Sequence, residues 1–302
     1  MQVTLLNRGK TACPFQIDGR RLRRIRCDRF ERAQFRRCLR QGAPYACVVD
    51  FLAFHPSHVQ DVVQALWTDT NKALGHYIFV STDSVYVVCA PSAHGGSMRE
   101  TDARPPSTKE ERQVVAGRSK YQRQYGGNKF RCEKFLARVG RERGFPYTAL
   151  RLPDVIGPYD NLTGFLELRQ RLLQRRPVGL RVGRKRGAGH SHRISVVFAP
   201  DVARAIRACM RAAKARGRAL NICCDETPTY REFVSLVHRC LARAERKANV
   251  GDANPNPNPN PNPNANPNIE GAPLAKKHKN DTGARGVPAS DGGKMIACGV
   301  CM

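Results

Sequence analysis

Tyr77-Ile78-Phe79-Val80-Ser81-Thr82-Asp83-Ser84 decides how the rest of the chain is read. Four consecutive apolar residues have the length and residue types of a strand buried on both faces, as strands of parallel sheets are. The run then breaks into small polar groups, so hydroxyls and a carboxyl sit at a strand tip. In an open parallel sheet, ligands bind at the carboxyl ends of the strands. Further along, Tyr125-Gly126-Gly127-Asn128-Lys129 reads as the opening of a helix. Positions four apart share a helix face, so the Tyr125 phenol and the Lys129 ammonium project together. A phenol with a pKa of about 10 exchanges protons near neutrality only when its anion is stabilised, and a neighbouring ammonium does that. Taken alone, the pair also fits an ordinary surface helix start.

The flanks alternate strand and helix. Val3 to Leu6 reads as a strand ending in Asn7-Arg8-Gly9-Lys10, and Ile25-Arg26-Cys27-Asp28 as a second strand, followed by a charged helix over Arg29 to Leu39. Cys47 to Phe51 is a buried strand leading into Leu52-Ala53-Phe54. Val59, Val62, Val63, Leu66 and Trp67 then mark one stripe of an amphipathic helix. His55 and His58 read as helix-start residues, because no carboxylate or Cys partners stand at metal-ligand spacing. Such alternation predicts right-handed parallel crossovers. Residues 89–120 are polar and carry Pro and Gly, which suggests a long loop with a short helix over the site mouth. Thr148 to Leu152 is another strand, ended by Gly157-Pro158. A helix follows over Asn161 to Arg176, then the basic loop Val182-Gly183-Arg184-Lys185-Arg186-Gly187. Ile194 to Phe198 reads as a strand, Asp201 as an N-cap, and Val202 to Met210 as a helix. Leu220-Asn221-Ile222 is a last strand, and Thr229 with Glu232 makes a capping box before a final helix.

Ser-Thr-Asp-Ser-Val-Tyr after a strand, then Tyr-x-x-x-Lys, then Arg151-Leu152-Pro153-Asp154-Val155-Ile156-Gly157-Pro158, resembles the extended short-chain dehydrogenase/reductase family of nucleotide-sugar epimerases and dehydratases. The order and spacing of these motifs over residues 3–245 carry the resemblance. It implies a doubly wound Rossmann-like α/β domain over residues 1–160, completed by 194–215. A smaller substrate-binding domain would take 161–193 and 216–247. Catalysis would fall to Thr82, Tyr125, Lys129 and Asp83. The cofactor would meet Asn7, Arg8, Lys10, Asp28, Phe51, Leu52, Ala53, Ser81 and Pro153 besides Tyr125 and Lys129. Ser84, Asn161, Arg184 and Arg186 would face a nucleotide-linked substrate. Ser84 stands where sugar dehydratases of the family carry a glutamate that helps eliminate water, so reduction, oxidation or epimerisation is expected instead. Arg8, with Lys10 nearby, suits the 2′-phosphate of NADP better than the free hydroxyl of NAD. The strand and glycine-rich turn that open the family fold do not precede Val3, and neither Gly9 nor Gly19 supplies that pattern.

The chain has 302 residues, 41% of them hydrophobic, with 52 Lys and Arg against 25 Asp and Glu, a net charge of +27. That length buries a substantial core. The charge favours anionic partners, which keeps open an alternative: an inactive or RNA-binding member of the same fold. A homodimer is compatible with the family. The 12 cysteines follow no zinc-finger spacing and read as reduced thiols, so no metal is expected. Apolar runs stay short of a membrane span, and no leader pattern opens the chain, so a soluble cytoplasmic protein is expected. From about residue 248 the composition shifts to an Asn-Pro alternation, Asn254 to Asn268, and a basic cluster, Lys276-Lys277-His278-Lys279. Residues 248–302 therefore read as a disordered tail.

Overall fold

In a computed structural model, residues 2–10, 19–94, 96–158, 163–176, 178, 193–251 and 294–298 are described. In chain order the elements are β1 (Gln2–Asn7), β2 (Leu22–Arg26), α1 (Arg32–Gly42), β3 (Cys47–Asp50), α2 (Pro56–Leu66), β4 (Tyr77–Thr82), α3 (Lys109–Ala116) and α4 (Lys120–Arg143). Then follow β5 (Tyr147–Leu152), β6 (Asp154–Ile156), α5 (Thr163–Leu173), β7 (Val196–Phe198), α6 (Ala199–Arg211), β8 (Arg218–Asn221), α7 (Tyr230–Gly251) and β9 (Lys294–Cys298).

Seven strands form one sheet in the order β2-β1-β9-β3-β4-β5-β8. Every pairing in it is parallel. The chain steps outward from β1 to β2 on one side and from β3 through β4 and β5 to β8 on the other. The direction of winding therefore reverses around β9, which is the position where doubly wound sheets bind ligands.

Alternation along the strands builds a core on each face. On one side Val48, Tyr77, Phe79 and Ala149 pack with Phe35 and Leu39 of α1, Val59, Val62 and Val63 of α2, and Leu136 and Val139 of α4. On the other, Val49, Ile78, Leu150 and Leu152 pack with Val202, Ile206 and Cys209 of α6. The expected helix stripes are thus the faces that meet the sheet. The Thr229–Glu232 capping box forms at the start of α7, through Thr229 N–H to Glu232 Oε2 at 2.7 Å and Glu232 N–H to Thr229 Oγ1 at 3.1 Å.

The structure corrects several expectations. Residues 248–302, read as one tail, contain β9, which pairs with both β1 and β3. The open slot between those two strands, a tertiary feature, selects this five-residue segment. Residues 218–221 lie in the main sheet beside β5, not in a substrate domain, because the exposed edge of β5 offers them a ladder. The chain divides into residues 1–234 with 292–302 and residues 235–291, so the expected boundary near 160 does not separate compact units. β6 was not anticipated; it pairs with β7 in a separate two-stranded sheet. Asp201 sits inside the first turn of α6, ion-paired with Arg204, and the N-cap is Phe198. The segment 254–268 and the basic cluster at 276–279 lie outside the described residues. Among the described residues no helix is long and apolar enough to cross a membrane.

One buried group carries a pH prediction. His76 is 1% exposed and its Nε2 donates to Thr148 Oγ1 at 2.9 Å, since that hydroxyl already donates to the Ala215 carbonyl at 2.7 Å. Burial, then the Arg216 charge, push its pKa down to about 4. The unfolded chain therefore takes up this proton first, and stability present above about pH 6.5 is lost as pH falls toward 4, by an amount of order 3 kcal/mol. Urea midpoints measured from pH 7 to 5 should fall less steeply in His76→Gln than in wild type. Parallel curves would exclude His76 as a contributor.

Candidate functional site

Because the sheet is parallel, the ends of β1, β2, β3, β4 and β5 lie along one edge. That edge carries Asn7 and Arg8, Asp28, Phe51 to Ala53, Ser81 with Thr82, and Pro153, in neighbouring strands. α4 then delivers Tyr125. The helix opens earlier than expected, at Lys120 with Ser119 as its cap, so Tyr125 stands in its second turn. Gly126 makes the approach possible: a Cβ there would meet the Ser84 carbonyl oxygen at 1.9 Å. The absence of a side chain lets α4 press against the 3-10 turn Asp83–Val88, and the adjacent phenol reaches the tip of β4.

There the Tyr125 phenol comes close to the Thr82 side chain, which offsets part of the rise in the phenol pKa. Thr82 Oγ1 also accepts from Ser84 N–H at 3.1 Å and lies 3.3 Å from Asp83 Oδ1, to which it donates. A hydroxyl has one proton, so Thr82 can serve the carboxylate or the phenolic oxygen, not both at once. Asp83 lies at the exposed lip, yet its pKa is raised, by partial burial of the carboxyl and then by Asp154.

Lys129 departs from expectation. It is 2% exposed, and its Nζ donates to the Val80 carbonyl at 2.8 Å. The ammonium lies 4.6 Å from the Phe54 ring centroid and 4.9 Å from that of Phe79, an aromatic box. Burial lowers its pKa to about 8. The Tyr125 pKa is raised, not lowered: burial dominates, Thr82 partly opposes it and Asp83 adds to it. Sharing a helix face with Tyr125 thus does not suffice. Lys129 is drawn toward the sheet by a carbonyl and two rings, while Phe54 touches both residues, its ring 6.2 Å from that of Tyr125.

Ser81 is also turned inward. Its hydroxyl donates to Glu133 Oε1 at 2.5 Å, so it is a support for the site and not a cleft-facing group. Glu133 is gripped by Arg151 through Nη2 to Oε2 at 2.7 Å and Nε to both oxygens at 3.2 Å. Arg151 Nη1 reaches the Tyr86 hydroxyl at 2.9 Å and the Glu100 carbonyl at 3.1 Å. Tyr86 in turn donates to Asn221 Oδ1 at 2.7 Å. This buried network ties β4, α4, β5 and β8 together behind the Thr82 tip, and no role for Glu133 was read from the sequence. Its signals were an Arg inside the apolar strand Thr148 to Leu152 and a Glu one turn beyond Lys129.

At the far end of the edge, Arg8 and Lys10 are exposed. Asn7 Oδ1 accepts from Gly9 N–H at 3.0 Å, and Asp28 Oδ1 from Phe30 N–H at 3.0 Å, so both carboxyl-type oxygens shape their turns. Asp50 is fully buried and bidentate with Arg29 at 2.8 and 3.0 Å; despite burial, the Arg29 charge holds its pKa below the usual range. Leu52 is fixed through its N–H to Asp50 Oδ1 at 3.0 Å. Pro153 is buried between β5 and β6, and Ser84 is half-buried beside Thr82. Asn161, Arg184 and Arg186 lie outside the described residues. No cluster able to hold a metal ion occurs among the described residues.

A parallel, doubly wound sheet whose strand tips meet a Tyr-x-x-x-Lys helix defines a Rossmann-like dinucleotide-binding protein. The chain belongs to the NAD dependent epimerase/dehydratase family, whose model matches residues 1–223. A search of the curated proteins gives no match. Among solved structures, a dTDP-glucose 4,6-dehydratase from Streptomyces venezuelae with NAD bound is similar at 18% identity and a TM-score of 0.58, covering 80% of this chain and 72% of that one. A UDP-glucose 4-epimerase from Thermus thermophilus in complex with NAD is similar at 18% identity and 0.57, covering 79% and 83%. A UDP-glucose 4-epimerase from Thermotoga maritima with UDP-glucose gives 16% identity and 0.55, covering 79% and 74%.

Proposed function

We propose that the chain is an NAD(P)-dependent oxidoreductase or epimerase acting at a carbinol carbon of a nucleotide-sugar or similar substrate. The approach of the Tyr125 phenol to Thr82 at the β4 tip, which Gly126 allows by fitting against the Ser84 carbonyl, carries this reading most directly. The residues present fit the redox end of a dinucleotide: a phenol and a hydroxyl meet at the β4 tip, with an ammonium buried behind them. Phe51, Leu52 and Ala53 would hold the nicotinamide half, with the buried Lys129 ammonium behind them, Asp28 the adenine, and Asn7, Arg8 and Lys10 the ribose beside it. The bound dinucleotide supplies the hydride donor or acceptor.

The chain's own part is the proton. With its pKa raised, Tyr125 is a neutral phenol at pH 7 and is ready to donate to a carbonyl oxygen that Thr82 orients. Removing a proton from a carbinol requires the phenolate, so the arrangement favours the reducing direction at neutral pH and oxidation at higher pH. Asp83 and Ser84 flank the same oxygen. With serine at 84, the carboxyl that the family's dehydratases carry at that position is missing beside Asp83, and reduction or epimerisation is the expected chemistry. Measuring NAD(P)H oxidation with keto-sugar nucleotides and simple ketones, in wild type and Tyr125→Phe, tests the assignment.

Arg8 is the basis for preferring NADP. A guanidinium contact to a 2′-phosphate contributes about 1.5 kcal/mol at an exposed site, roughly tenfold in affinity. Arg8→Ala should therefore bring NADPH affinity down to that for NADH. Equal titration curves for the two dinucleotides in wild type would remove the preference.

A further inference from the structure

A cavity of about 280 Å³ opens beyond the end of β5, with Asp154 in its wall, and is used by none of the chemistry above. Its walls are Val155, Phe165, Leu168, Ile194, Val196 and Phe233, drawn from β6, α5, β7 with the segment leading into it, and the first turn of α7. Phe165 and Phe233 form an aromatic corner, their ring centroids 6.3 Å apart at 53°. The polar groups are few: Asp154 at one end, and Tyr230.

Its position ties it to the reaction. Thr82 is paired with Leu152 in the sheet, and Asp154 follows two residues later, opening β6. The Asp154 charge is felt by Asp83, so a carboxyl of the cavity wall lies near one at the β4 tip. Two carboxyls there repel phosphate, and apolar walls give a buried charge no partner. The volume sets the size: small-molecule pockets start at about 300 Å³, and an apolar cavity of about 150 Å³ already admits benzene.

We propose that this cavity is a substrate subsite that takes an uncharged apolar group, a single ring or a short branched alkyl chain, attached next to the carbon that reacts at Tyr125. It rests on the proposed oxidoreductase function for which carbon reacts, and it narrows the substrate from a nucleotide-sugar to a similar ketone or carbinol with an apolar arm. The occupancy of the cavity is independent of that. A substrate so built presents its oxygen to Thr82 and Tyr125 and its apolar arm to Leu168 and Phe233, while any charged portion lies away from Asp83 and Asp154.

The probe is 4′-fluoroacetophenone, with 4-fluorophenyl phosphate as the charged comparator, each titrated into the full chain and followed by fluorine NMR. The ketone should bind saturably and the phosphate should not. Leu168→Phe and Val196→Leu fill the cavity from α5 and from β7, and each should weaken ketone binding by about tenfold or more, the effect of roughly two methylene contacts. Circular dichroism confirms that each variant is folded, and two walls guard against one of them failing to fold. Ketone binding that is absent in wild type, or unchanged from wild type in both filled variants, would overturn the subsite even if NAD(P)H oxidation is observed. Binding lost on filling, with no oxidation of NAD(P)H by any ketone, would instead uphold the subsite and count against the oxidoreductase function.

Discussion

Tyr125→Phe should lose NAD(P)H-dependent turnover by about 10²- to 10⁴-fold, the usual contribution of a positioned proton donor, while dinucleotide affinity stays close to wild type. The substitution removes one oxygen and leaves the ring against Phe54, so α4 and the β4 tip should keep their packing. Thr82→Val removes the partner hydroxyl and should lower turnover in the same assays by a smaller factor, since Thr82 orients the reacting oxygen without supplying the proton. Full turnover in Tyr125→Phe would place the proton donor elsewhere. The pH profile adds a second readout. With the phenol pKa raised, reduction should be insensitive to Tyr125 ionisation through neutrality, and oxidation should increase as pH rises.

The largest stability effect should come from the buried ion pair behind the site. Glu133 is 6% exposed and Arg151 5%, and the carboxylate also accepts from Ser81. Breaking such a pair on one side leaves a desolvated charge, at a cost of about 3–5 kcal/mol. Arg151→Met should therefore lower the urea unfolding free energy by that amount. Adding Glu133→Gln to it should recover a large part, because the stranded charge is then gone. If Arg151→Met alone changes stability by less than about 1 kcal/mol, the pair behaves as a solvated surface bridge and the network does not brace the β4 tip.

Much of the fold was legible because its cues are local. The apolar runs at 47–51 and 77–80, the helix stripe from Val59 to Trp67, and the Thr229–Glu232 box each depend on neighbours in sequence, and each recurs in the structure. Nothing in the residues 294–298 predicts a central strand, since the slot they occupy is made by β1 and β3 from the other end of the chain. The site divides in the same way. Spacing put Thr82 and Tyr125 at a strand tip and on a helix face, and those two elements meet in the structure. It misjudged Lys129 and Ser81, whose directions are set by the Val80 carbonyl, by two aromatic rings and by Glu133, none of which is a sequence neighbour that a four-residue period can find.

The central claim is that the β4 tip and α4 form the redox end of a dinucleotide cleft, with Lys129 as its buried cation. Equilibrium titration of NADPH fluorescence with wild type and Lys129→Met tests it most directly. Saturable binding in wild type, weakened by about tenfold or more in the variant, is the predicted result. No saturable binding in wild type, or identical curves for the two proteins, would contradict it.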